Sequence, residues 1–138
     1  MNDLFASLYE TDLTFNQTYS MELFNNGAYM SAFLSMLLPA FVIMAIFYFL
    51  IKYPFCKWYH WFLGICTAII ITGVLTYNVL AETLAVFVLA PNDYPDINSF
   101  ITTFIVFNVV LAFVTGFIWT LVFKQAPRPN RNVPWGGK

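Results

Sequence analysis

Apolar positions dominate three long runs of the chain, at residues 28–51, 58–81 and 99–123, while polar and charged positions collect between and around them. An α-helix rises about 1.5 Å per residue, so about 20 apolar residues cross the roughly 30 Å hydrocarbon core of a bilayer. Each run is long enough. The fold class this pattern predicts is all-α, a polytopic membrane protein with three transmembrane helices. Residues 83–90 prolong the apolar character of the second run but are too few to cross again. They are expected to extend that helix or to lie at the membrane surface before Pro91 stops them.

Residues 1–27 show a different pattern. Leu4, Phe5, Leu8 and Tyr9 fall at i, i+1, i+4 and i+5, one face of a short helix, and Phe15, Tyr19 and Leu23 repeat every four residues. The segment reads as an extracytoplasmic amphipathic arm lying on the membrane or on a partner. A helix that binds lipid by itself is usually basic on its polar face. This one is acidic, which favours a protein partner. Residues 124–138 carry Pro127, Pro129 and Pro134 and form an expected extended tail, in which Trp135 is suited to docking on a partner. The domain division is therefore an arm (1–27), a three-helix membrane domain (28–123) and a Pro-rich basic tail (124–138).

Within the apolar runs, small and polar residues recur every four positions: Gly64, Ala68, Thr72 and Thr76 in the second, Asn108, Ala112, Gly116 and Thr120 in the third. Small residues at this spacing let neighbouring helix backbones approach closely, and they mark the faces expected to pack. Asn78 and Glu82 return to the Gly64 side of their helix and are expected to be buried there against protein. In the first run Ser31, Ser35 and Pro39 are spaced by four. Pro39 removes one backbone hydrogen bond and is expected to kink the helix near residue 35, with Ser35 placed to serve the freed carbonyl. Asn98 or Ser99 is expected to cap the third helix.

Composition agrees with this pattern. The 138 residues are 60% hydrophobic, 20% aromatic and 9% charged, against about 25% charged residues in a soluble domain. Lipid is the solvent such a surface needs. The net charge of −1 offers no basic field for nucleic acid. The charges are sorted, however: Asp3, Glu10, Asp12 and Glu22 precede Gly27, whereas Lys124, Arg128, Arg131 and Lys138 follow Phe123. The short turn holding Lys52 and Lys57 should face the cytoplasm, and the second loop, with Asp93 and Asp96, the other side. These segments agree on an N-terminus outside and a cytoplasmic C-terminus, in a bacterial inner membrane. Trp58, Tyr59, Trp61 and Trp119 are expected at the headgroup level.

Candidate chemistry is sparse. Cys56 and Cys66 are ten residues apart, roughly 15 Å along a helix, too far for a disulfide. His60, the single histidine, cannot assemble a bis-histidine haem or a zinc site within one chain. Flanked by Tyr59 and Trp61, it reads as an interfacial anchor, with a single pigment or haem ligand as the alternative. No Gly-rich phosphate loop, nucleophile elbow or zinc-protease motif occurs. No catalytic residue, cofactor or metal is expected.

The resulting expectation is a non-catalytic small membrane subunit that anchors or scaffolds a larger complex, with lipids, other membrane subunits or copies of itself as partners. The alternative is an oligomeric channel or proton-conducting subunit using Asn78, Glu82 and Asn108, because a carboxylate near the bilayer interior is costly and marks function by default. A third reading is an accessory subunit of a redox or light-harvesting complex.

Overall fold

The computed structural model describes residues 2–10, 15–50, 57–89 and 94–125, with the backbone alone at residues 2 and 3. The described residues form six helices: α1 (Asn2–Tyr9), α2 (Gln17–Asn25), α3 (Ala28–Phe49), α4 (Trp58–Thr83), α5 (Ala85–Val88) and α6 (Ile97–Lys124), with no strand among them. Three of these, α3, α4 and α6, are long and apolar enough to cross a membrane. The basic turn with Cys56, residues 90–93 and the tail with Trp135 lie outside the described residues.

The three long helices pack against one another in all three pairings. Their inner positions recur at the spacing expected of packed helices. On α3 the buried set includes Ala28, Ala32, Met36, Ala40, Met44 and Tyr48; on α4 it is Ile65, Ala68, Thr72, Thr76 and Leu80; on α6 it runs from Ile97 through Asn108, Ala112 and Gly116 to Thr120. Large aliphatic residues occupy the outside instead, among them Ile70, Val74, Val106, Val110 and Ile118, each more than half exposed. Soluble proteins rarely leave apolar surface that extensive. An apolar exterior wrapped around an interior that gathers the buried hydroxyl and amide side chains is the arrangement that suits lipid as solvent, and the chain is an integral membrane protein by this architecture.

The arm does not project from the bundle. Gly27 adopts φ +66°, a left-handed conformation natural to glycine, and this turn lets α2 fold back beside the start of α3. Ala6 and Tyr9 of α1, Tyr19 and Leu23 of α2, Tyr29 and Ala32 of α3, Leu80, Leu84 and the first turns of α6 form one buried cluster at this end of the bundle. The partner on which the acidic arm was expected to lie is thus, at least in part, its own chain. Leu4, Leu8 and Phe15 are the exceptions, 71%, 38% and 56% exposed. The α1 face that docks is Phe5, Ala6 and Tyr9, narrower than the sequence pattern suggests.

Residues 84–89 turn rather than continue. α4 ends at Thr83, Leu84 is buried, and α5 carries Phe87 edge-on to Tyr19 (5.4 Å between ring centroids) and Tyr94 (4.8 Å). The third long helix starts two residues earlier than expected, after Asp96, and no side chain caps it. Asn98 and Ser99 are exposed in its first turn.

Candidate functional site

The most polar part of the interior is built around Asn108, which is fully buried on α6. Its amide nitrogen donates to the Thr76 hydroxyl of α4 (2.6 Å) and to the Ala32 carbonyl of α3 (3.1 Å), and its side-chain oxygen accepts from the Tyr9 hydroxyl (2.7 Å). One side chain therefore joins α1, α3, α4 and α6. Ser35 closes the group, donating to the Ala32 carbonyl (2.7 Å) and lying 3.1 Å from the Thr76 hydroxyl. Counting hydrogens gives the direction of that last contact. Ser35 has already used its proton and Thr76 already accepts from Asn108, so Thr76 donates to Ser35. Every donor in the chain from Tyr9 to the Ala32 carbonyl then has an acceptor, the condition under which a buried polar network holds a unique arrangement.

Ser35 consequently does not serve the carbonyl freed by Pro39. Its hydroxyl instead donates one turn back to the Ala32 carbonyl and lies against the Thr76 hydroxyl across the helix interface.

Tyr9 brings its whole ring into the bundle. It is 0% exposed, lies nearly parallel to Phe104 at 4.9 Å and to Tyr29 at 5.9 Å, and meets Phe107 edge-on at 5.9 Å. Burial pushes its phenol far above the ordinary tyrosine range, so it is a hydrogen-bond donor at any working pH. Tyr29 in turn donates to Glu10 (3.1 Å). An acid on the arm thereby meets a bundle hydroxyl.

A second, smaller polar contact lies at the opposite end. The Trp61 indole donates to Thr120 (2.9 Å), and Thr120 donates to the Gly116 carbonyl one turn earlier (2.9 Å). Trp61 was expected in the headgroup layer as an anchor, but its polar edge is turned into the bundle. Trp58 and Tyr59, 63% and 47% exposed, keep the outward position. His60 packs its ring on Tyr59 at 4.2 Å. Among the described residues no group of three or more metal-ligating side chains converges.

Asn78 and Glu82 are not where the spacing suggested. Both are exposed. At about 100° per residue, Asn78 sits some 200° around the helix from Thr76, so the four-residue series that ends in Thr76 leads inward while Asn78 points out. Glu82 borders a polar depression of about 390 Å³ with Glu22, Asn26, Ser31 and Thr83, beside the arm. The trio Asn78, Glu82 and Asn108 is therefore not brought together within one chain.

Small residues also play a weaker part than expected. A methyl group added to Gly64 would meet Met44 at 3.4 Å, and one added to Gly116 would meet Ile65 at 3.8 Å, ordinary contact distances. Ala68, Ala112, Thr72, Thr76 and Thr120 are buried in the packed faces, but the glycines are not forced by close backbone approach. Thr72 carries the opposite oddity, since its hydroxyl is buried without a hydrogen-bond partner. Tyr9 is the site residue that sequence reasoning missed as such. Its position on the apolar face of α1 was visible, but not its reach to Asn108.

No protein family, no curated protein and no solved structure matches the chain.

Proposed function

We propose that the chain is a non-catalytic integral membrane subunit that anchors or scaffolds a larger assembly, seated in a bacterial inner membrane with the arm outside and the basic tail in the cytoplasm. The observation that carries this reading is the Asn108 network: the most polar groups of the interior are hydrogen-bonded to one another across four helices, which makes the bundle a rigid packed body. Adhesion through its outer faces is what such a body offers. The paired lysines of the first turn, the acids of the second loop and the positive tail support the orientation.

Conduction through Asn78, Glu82 and Asn108 is the weaker reading, since two of the three face away from the third across α4. Purification of the tagged chain from its native membrane in mild detergent tests the proposal. A stoichiometric set of co-purifying membrane proteins is expected. A chain that elutes free of other proteins and conducts protons or cations after reconstitution into liposomes, with the current abolished by Glu82→Gln, would replace scaffold by channel.

A further inference from the structure

The outward face of α4 carries a feature that lipid alone does not explain. Asn78 is exposed and makes no hydrogen bond within the chain, yet it lies inside a membrane-crossing helix. With the exposed Trp58 and Tyr59 in the headgroup layer, about 20 residues of hydrocarbon core extend to about residue 81, which leaves Asn78 roughly 5 Å below the outer boundary. A primary amide there has two donors and an acceptor facing acyl chains. The residues around it are spaced four and three apart: Thr67, Ile71, Val74, Asn78 and Ala81. That is the alternation of a left-handed helix pair, with stiff β-branched side chains at successive contact positions and one asparagine. Thr67 already donates to the Leu63 carbonyl (2.9 Å), so Asn78 is the unsatisfied member of the row.

We propose that this face of α4 binds the same face of a second copy of the chain, in a parallel two-fold dimer held by reciprocal hydrogen bonds between the two Asn78 amides. Copies inserted with the same topology place Asn78 at one depth, and a two-fold axis along the membrane normal brings like residues together. An amide is one of the few side chains complementary to itself, donor to acceptor in both directions. Glu82 would be repelled by its counterpart, but it stands one turn nearer water and borders the depression with Glu22 and Asn26, while the seam continues through Ala81. Such a dimer is compatible with a scaffold and equally with a free-standing membrane protein.

Single cysteines in the full chain, with Cys56→Ala and Cys66→Ala as background, test it by oxidative cross-linking in native membranes. Val74→Cys and Ile71→Cys, which lie in the seam, are expected to give a disulfide-linked homodimer; Val106→Cys and Val110→Cys, exposed on the outer face of α6 instead, are not. Adding Asn78→Leu to Val74→Cys should weaken dimerisation about tenfold, the effect of losing reciprocal intramembrane hydrogen bonds worth about 1–2 kcal/mol, and Asn78→Gln should restore much of it. Absence of the homodimer at positions 71 and 74, a cross-link there to a different protein, or a yield unchanged by Asn78→Leu would each overturn the proposal.

Discussion

At the scale of single residues, Asn108 and Thr72 are a natural contrast, because one hydroxyl-bearing position is unsatisfied and one amide is satisfied three times over. Intramembrane hydrogen bonds average about 0.6 kcal/mol and reach about 1.7. Replacing Asn108 by Leu removes three of them, the one from the Tyr9 hydroxyl included. A loss of about 2 kcal/mol is expected, measurable as a lower midpoint in detergent–denaturant unfolding. Thr72→Val should do the reverse. Its hydroxyl is buried without a partner, and an apolar group of the same shape escapes a desolvation cost of about 1–3 kcal/mol. The variant should be at least as stable as the parent in the same titration, and a clear loss would mean that the Thr72 hydroxyl is bonded after all.

At the scale of elements, the arm is the informative piece. α1 is short, eight residues, and a helix of that length is marginal in isolation. What holds it is the Tyr9 ring among Tyr29, Phe104 and Phe107, with the hydrogen bond to Asn108 beneath. Tyr9→Ala should therefore release the arm, seen as loss of hydrogen-exchange protection over residues 2–9 and 17–25, whereas Tyr9→Phe, which keeps the ring, should only loosen it. The tyrosine also fixes a pH dependence. Its folded-state pKa lies above the ordinary 10.0 because burial disfavours the phenolate. The contribution of the neutral form is complete below about pH 10 and declines as pH rises beyond it. Arm protection should be flat from neutral pH to about 10 and fall above that, and the fall should be smaller in Tyr9→Phe, the remainder coming from Tyr19, whose phenol pKa burial also raises. Gly116→Ala belongs at this scale too. A methyl group there meets only Ile65 at 3.8 Å, so the gain in helix propensity, about 0.5–1 kcal/mol, should appear as added stability.

Much of this was legible in the sequence where one periodicity decided the matter. The bounds of α3, α4 and α6 came from run length, and the inner faces of Ala68, Thr72, Thr76, Asn108, Ala112, Gly116 and Thr120 came from a repeat of four. What periodicity could not decide was where a repeat that drifts about 40° per step stops being a face. Asn78 and Glu82 were carried past that point and assigned to the interior. Nor does local spacing reveal contacts 99 residues apart, such as Tyr9 with Asn108, or a tryptophan that turns its N–H to Thr120 instead of the headgroups.

At the scale of the whole molecule, the bundle fixes relations between ends that a labelling experiment can read. Three crossings put the start of α3 and the end of α6 at opposite ends of the bundle, and the arm is packed at the first of these, with α5 and the start of α6. The arm side holds Glu10, Glu22, Glu82 and Asp96 and, among the described residues, no lysine or arginine, whereas Lys57 and Lys124 both lie at the other end. Basic residues near membrane boundaries are retained in the cytoplasm, so the arm should be outside. In intact cells, with the native cysteines replaced by alanine, a membrane-impermeant maleimide should modify a cysteine placed at exposed Ser7 and spare one placed at exposed Lys57 until the membrane is opened. Equal labelling of both positions in intact cells would break the three-crossing arrangement. Labelling of Lys57→Cys alone would preserve the fold but invert it, putting the arm, Glu82 and the outer end of the Asn78 face in the cytoplasm.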